Sequence, residues 1–147
     1  MGDKRYVGSM IDVEIAYENL INNINYYEKI IRKTQPKSNG SIILQANNCR
    51  KKNCRSCPHY VWKIWKSNKG MWSAYAINEP LRHARRKDFS PIAREAIRVA
   101  VELIDARAAL AKQMAIARRS AVAAQKRLER LRAAHGRALN EAIKGGL

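Results

Sequence analysis

Three cysteines fall within nine residues, Cys49, Cys54 and Cys57, and His59 follows two positions after the last, giving C-x4-C-x2-C-x-H. Thiolates and imidazoles are the donors that divalent zinc prefers, and three of one with one of the other fill a tetrahedral site, leaving no position for water. The centre expected from Cys49, Cys54, Cys57 and His59 is therefore a structural zinc site. Nearby Arg50, Lys51, Lys52 and Arg55 would favour the thiolate forms and are also counted among the expected nucleic-acid-binding residues. An odd cysteine count does not suit a disulfide framework. The two spacings among the cysteines also match a plant-type iron–sulfur run, but a fourth cysteine is absent. The plainer alternative is three ordinary reduced cysteines beside an incidental histidine.

Beyond His59 the chain interleaves large aromatics with lysines: Trp62, Lys63, Trp65, Lys66, Lys69 and Trp72. Alternation puts Tyr60, Trp62, Ile64 and Lys66 on one face of a strand, and Val61, Lys63 and Trp65 on the other. One face has to pack on something, so about half of these aromatics are expected in a core. The remainder are suited to stacking on nucleic-acid bases. Arg82, Arg85, Arg86 and Lys87 follow as a short basic cluster suited to phosphate contact, which adds affinity without sequence choice. A solvated face or linker is the plainer reading of such a cluster.

The elements that must carry these residues can be read from periodicity. Val13, Tyr17, Leu20, Ile24, Tyr27 and Ile31 recur at alternating steps of four and three, a heptad seam read as an oligomer seam on an N-terminal helix. Ser9, with Asp12 three residues later, predicts the start of that helix, and Pro36 and Asn39-Gly40 predict its end. Ser41–Gln45, Tyr60–Lys66 and Met71–Ile77 have strand character, the last two joined by the turn Ser67-Asn68-Lys69-Gly70. Three short strands are marginal alone, and a metal clip would staple them.

Ser90-Pro91 is a helix start, and no Gly or Pro follows until Gly136, so one long helix is favoured over a helical hairpin. Its predicted seam runs through Ile92, Ala96, Val99, Leu103, Ala106 and Leu110 and then shifts by one, from Met114 through Leu128 and Leu131.

The stretch Gly40-Ser41-Ile42, then Cys49, Cys54, Cys57-Pro58-His59-Tyr60, Trp65, Lys69-Gly70 and Tyr75, resembles an uncharacterised family of small prokaryotic proteins often found near mobile elements. The resemblance covers about residues 10–80 and implies a helix, a Cys-rich hairpin and a second helix. It implies no activity. The chain departs from the pattern in lacking a Gly-Pro after the histidine and in its Ala/Arg-rich tail.

Composition limits the rest. The 147 residues hold 29 Lys+Arg against 12 Asp+Glu, a formal net charge of +17. Residues 1–34 are neutral, residues 35–90 carry +10 and residues 91–147 carry +7. No acidic residue lies between Glu28 and Glu79. Such a chain is expected to meet polyanions. Alanine inflates the apolar fraction and there is one Phe, so a large round core is not expected. No apolar run reaches membrane-spanning length and the first residues lack a signal-peptide stretch, which predicts a cytoplasmic protein that does not engage a membrane. Scattered carboxylates and the lack of a phosphate loop or nucleophile elbow argue against an enzyme, and no small-molecule substrate is expected.

The expected architecture is mainly α with a small β element: an N-terminal heptad helix (1–35), a three-stranded zinc-stapled hairpin module (36–80), a basic linker (81–89) and a long C-terminal coiled-coil helix (90–147). The expected function is binding of DNA or RNA by a homodimer. The alternative is a protein-interaction or inhibitor protein using the Trp-rich hairpin and helices.

Overall fold

The computed structural model describes residues 2–54 and 56–145, with side chains from Asp12 onward. In chain order the elements are helix α1 (Gly2–Lys33), strands β1 (Ile42–Asn47), β2 (His59–Asn68) and β3 (Met71–Ile77), a single turn α2 (Pro80–His83), and helix α3 (Pro91–Lys144). The chain is mainly helical with one small sheet, as periodicity predicts. By compactness it divides inside α3, into residues 1–111 and 112–147. The first three predicted segments, 1–35, 36–80 and 81–89, thus belong to one unit.

Helix α1 begins earlier than expected, with Ser9 inside it rather than at its cap. Nothing between Gly2 and Ser9 forbids the helical backbone, so the capping-box pattern is not needed to start it. The end is where Pro36 predicts. There Thr34 donates to the Ile30 carbonyl from both its backbone N–H at 2.9 Å and its Oγ1 at 2.6 Å, and Gln35 Nε2 donates to the Ile31 carbonyl at 3.1 Å, capping the end of the helix. At the other predicted start, Ser90 Oγ accepts from Ala93 N–H at 3.2 Å and caps α3.

The sheet is antiparallel in the order β1-β2-β3. Ile42 lies opposite Ile64, Leu44 opposite Trp62, and Trp62 in turn opposite Ile77. Directly opposed residues share a face, so these side chains form one apolar surface. Strands β2 and β3 meet through Lys69-Gly70, both with positive φ (52° and 78°), as the tightest hairpin turns require.

That apolar surface is buried with Ile24 and Ile31 of α1, Ala84 and Phe89, and Ala93, Ala96, Ile97 and Ala100 of α3. Ile24 and Ile31 thus face this chain's own core, and Val13, Tyr17, Leu20 and Tyr27 are half-buried. On α3 the buried stripe keeps Ala96 of the predicted seam but is shifted by one residue elsewhere: Ile92 is exposed, whereas Ala93, Ile97 and Ala100 are covered. Small side chains let α3 approach closely, so the contact stripe is marked by alanines rather than by the largest apolar residue.

Two polar devices fix the frame. The Gln35 side-chain amide accepts from Ile42 N–H and donates to Ile42 C=O, both at 2.9 Å, as a neighbouring strand would. Arg94 donates to the carbonyls of Ala84 at 2.7 Å and Arg86 at 3.0 Å, which ties the 84–89 loop to the start of α3. In residues 112–147 no described side chain is buried. Among the described residues no helix is long and apolar enough to cross a membrane.

Candidate metal centre and basic sheet surface

Strands β1 and β2 stay paired down to Asn47 opposite His59, so the intervening residues 48–58 form a loop closed at its base by the sheet. All three cysteines lie in that loop, and His59 is the first residue of β2. The four donor atoms lie within 4.8 Å of one another. Cys49 Sγ is 3.3 Å from Cys57 Sγ, which is 3.5 Å from Cys54 Sγ, and Cys54 Sγ is 3.3 Å from His59 Nε2. The backbone also takes part: Cys49 N–H donates to Cys57 Sγ at 3.2 Å, and Cys54 N–H to the Lys51 carbonyl at 3.2 Å.

The cysteines are free thiols. Tetrahedral coordination with bonds of about 2.3 Å separates sulfurs by about 3.8 Å. The observed spacing needs to open by about half an ångström to admit an ion, whereas a disulfide needs sulfurs at about 2 Å. The Cys49, Cys54, Cys57 and His59 cluster is therefore compatible with a metal site.

The thiols differ among themselves. Cys54 is lowered to about 6 by hydrogen bonds from Cys49, from the Ser56 backbone, from Cys57 and from His59. Cys57 is pushed up to about 11, first by its hydrogen bond with Cys49 and then by burial.

A residue that the sequence does not single out braces this loop. Arg107, on α3, donates from Nη2 to the Ser56 carbonyl, between Cys54 and Cys57, and to Tyr17 Oη at 2.9 Å. Its guanidinium lies 5.2 Å from the ring centres of both Tyr17 and Tyr60. The Tyr60 hydroxyl is buried without a partner among the described residues, and burial raises its ionisation above the usual value.

The predicted nucleic-acid residues separate into three groups. Trp62 is in the core, packed with Leu44 and Ile64, so its ring is not open for stacking; burial by the helices decides this, since alternation alone does not say which face is covered. Trp65 and Trp72 lie on the opposite face, with Trp72 41% exposed. Lys63 shares that face and is half-buried, while Lys66 and Lys69 are exposed. Lys37 Nζ sits 4.7 Å from the Trp65 ring and Lys66 Nζ 5.8 Å from that of Tyr75, two cations on aromatic faces. Arg50, Lys51 and Lys52 are exposed around the cysteine loop. Arg55 lies outside the described residues.

The basic cluster after β3 is only partly open. Arg82 and Arg86, with His83, line a cavity of about 780 Å³ together with Ile64, Ile77, Asn78 and Glu79. Arg86 is also part of the frame, because its Nη2 donates to the Gly40 carbonyl at 2.9 Å and its guanidinium lies over Phe89. Arg82 pairs loosely with Glu79 at 3.5 Å. Arg85 and Lys87 are exposed.

No protein-family model, no curated protein and no solved structure matches this chain.

Proposed function

We propose that the chain is a non-enzymatic nucleic-acid-binding protein, regulatory or accessory in role, whose basic aromatic sheet is held by a zinc ion on Cys49, Cys54, Cys57 and His59. The observation that carries this reading is the pairing of aromatics outside the core with cations, Lys37 on Trp65 at one face of the sheet and Lys66 on Tyr75 at the end of the other. These pairs stand in a stretch without a carboxylate between Glu28 and Glu79. Ring faces stack on bases of any sequence, and the lysines meet the phosphates between them. Arg82 and Arg86 beside the sheet, with Arg85 and Lys87, would extend the phosphate track. Zinc is the ion of choice because the donor set is thiolate-rich and closed to solvent ligands. A mobile-element setting rests on the resemblance of residues 10–80 alone.

Within residues 112–147, Leu128, Leu131, Leu139 and Ile143 are exposed along one side of the helix. Lys112, Arg119, Lys126, Arg130 and Arg137 fall on the opposite side by helical geometry, while Arg132 falls beside Leu139 and Ile143. A second copy of this chain fits that stripe, since the two rows of cations would then point away from each other. The homodimer therefore belongs to the proposal.

The exposed tip residues Met71 (73%) and Trp72 favour a second reading, in which the hairpin grips a protein and the aromatics act as interface anchors. Titration of labelled single- and double-stranded DNA and RNA at two salt concentrations separates the two. The first reading expects binding that weakens with salt, at a log–log slope of about −5 if six phosphates are neutralised. It also expects at least a tenfold loss in Lys63→Glu plus Lys66→Glu. No binding at low salt, or binding untouched by the double substitution, would turn the assignment to a protein target.

A further inference from the structure

The sheet face that α1 and α3 bury is not covered to its end. Lys66, opposite Ser73, and Tyr75, opposite Ile64, lie on that face by register, and both are exposed. Ile64 and Ile77 share the face and form the apolar floor of the cavity of about 780 Å³. Asn78, Arg82, His83 and Arg86 supply its polar wall. That size falls in the range of about 300–1,000 Å³ in which proteins hold small organic groups. An apolar floor, an exposed ring directly across from it and a cationic wall thus meet in one place.

The cations on that wall are not committed to carboxylates. Arg82 meets Glu79 at 3.5 Å and Arg86 meets Asp88 at 3.8 Å, and all four side chains are exposed. Such contacts contribute little and exchange readily. Arg86 is nevertheless held in position, because its Nη2 donates to the Gly40 carbonyl at 2.9 Å and its guanidinium lies over Phe89. Its remaining N–H groups suit phosphate oxygens, which a guanidinium can meet in pairs. The Asn78 side-chain amide both donates and accepts. Lys66 Nζ stands 5.8 Å from the Tyr75 ring centre and adds a third cation beside the floor.

We propose that this cavity is a subsite for one unpaired nucleotide of a single-stranded nucleic acid. The base lies over Ile64 and Ile77 beside the Tyr75 ring, with its hydrogen-bonding edge toward Asn78, and the flanking phosphates meet Arg82, Arg86 and Lys66. A base inside a duplex is stacked on both sides and paired along its edge, so it cannot enter such a cavity, whereas the bases of a single strand are free to do so. This inference rests on the nucleic-acid reading and narrows it, from contact with phosphates to contact with a base.

Its test compares, for the full chain at low salt, binding of a labelled single-stranded oligothymidylate and of an abasic deoxyribose-phosphate strand of the same length. The thymidylate strand is expected to bind at least about fivefold more tightly, the lower end of what one stacked base contributes. Tyr75→Ala plus Asn78→Ala should erase that margin and leave the salt slope unchanged, since neither residue carries a charge. Tyr75→Phe, which keeps the ring, should retain the margin. Without any variant, thymidine 5′-monophosphate at millimolar concentration should move the methyl resonances of Ile64 and Ile77 upfield, as an aromatic ring above them requires, and deoxyribose 5-phosphate should not. Equal affinity for the two strands, or no upfield movement at Ile64 and Ile77, overturns the subsite and leaves a protein that reads phosphates alone. If the double substitution does not fold, the resonances of the parent chain decide. Failure of the parent chain to bind any strand at low salt is a separate result, and removes the nucleic-acid reading itself.

Discussion

Several side chains in this protein have roles that their type does not announce. Gly40 has φ of +90°, and a Cβ there would collide with the Arg86 guanidinium. The glycine thus permits both a left-handed backbone and the approach of Arg86 to its carbonyl. Gly40→Ala should destabilise the protein by about 1–2 kcal/mol, the cost of holding an L-residue in that region, read as a lower urea midpoint at unchanged slope. Arg86 and Arg107 look alike in the sequence, as basic residues in a basic chain. Each turns out to be pinned by backbone carbonyls, Gly40 for one and Ser56 for the other. Nothing in a single sequence distinguishes a guanidinium in water from one that crosses a fold, because its partners lie 46 and 51 residues away. The cysteine cluster was legible for the opposite reason: its ligands are close in sequence and their chemistry is specific.

The strands, the hairpin turn and the two long helices could all be read from periodicity and breakers. Alternation groups Tyr60, Trp62 and Ile64 on one face correctly, and the turn residues Lys69-Gly70 set the register. Which face is covered could not be read, because that depends on where α1 and α3 dock, and their docking moves Trp62 from the binding surface into the core. The phase of α3 is only partly legible for a similar reason: Ala96 of the predicted seam is buried, but close helix approach selects Ala93 and Ala100 over the larger Ile92. On the exposed side of α3, Arg98 donates to Glu95 at 3.0 Å and to Glu102 at 2.9 Å. The hydrogen bond from Arg98 holds the Glu95 carboxyl below its ordinary value of 4.5. A depressed carboxylate stabilises the fold above the unfolded value, and that contribution is lost as pH falls through the folded one. Melting temperatures of the parent and Glu95→Gln should therefore differ at neutral pH in favour of the parent and converge as the pH drops below about 4.

At the scale of the whole molecule, the charge of +17 is unevenly placed. Residues 1–34 are neutral, and the excess lies on residues 35–90 and on the later part of α3. Heptad spacing on α1 points to an oligomer seam, yet Ile24 and Ile31 are committed to the core of one chain. The uncovered apolar stripe lies instead at Leu128, Leu131, Leu139 and Ile143. Sedimentation equilibrium should accordingly show a dimer that Leu131→Glu plus Leu139→Glu converts to monomer, while Val13→Glu leaves it dimeric. A monomeric parent at all concentrations contradicts the dimer.

On the proposed reading the sheet depends on a metal staple, since three strands and two helices share one modest core and the four candidate ligands lie in and beside the loop that joins β1 to β2. Metal analysis of protein purified without added zinc is the most direct test of this account. One equivalent of zinc per chain is predicted, removable by chelator with loss of β-sheet signal and of oligonucleotide binding together. A folded chain that carries no stoichiometric metal and binds oligonucleotides unchanged in chelator would contradict it.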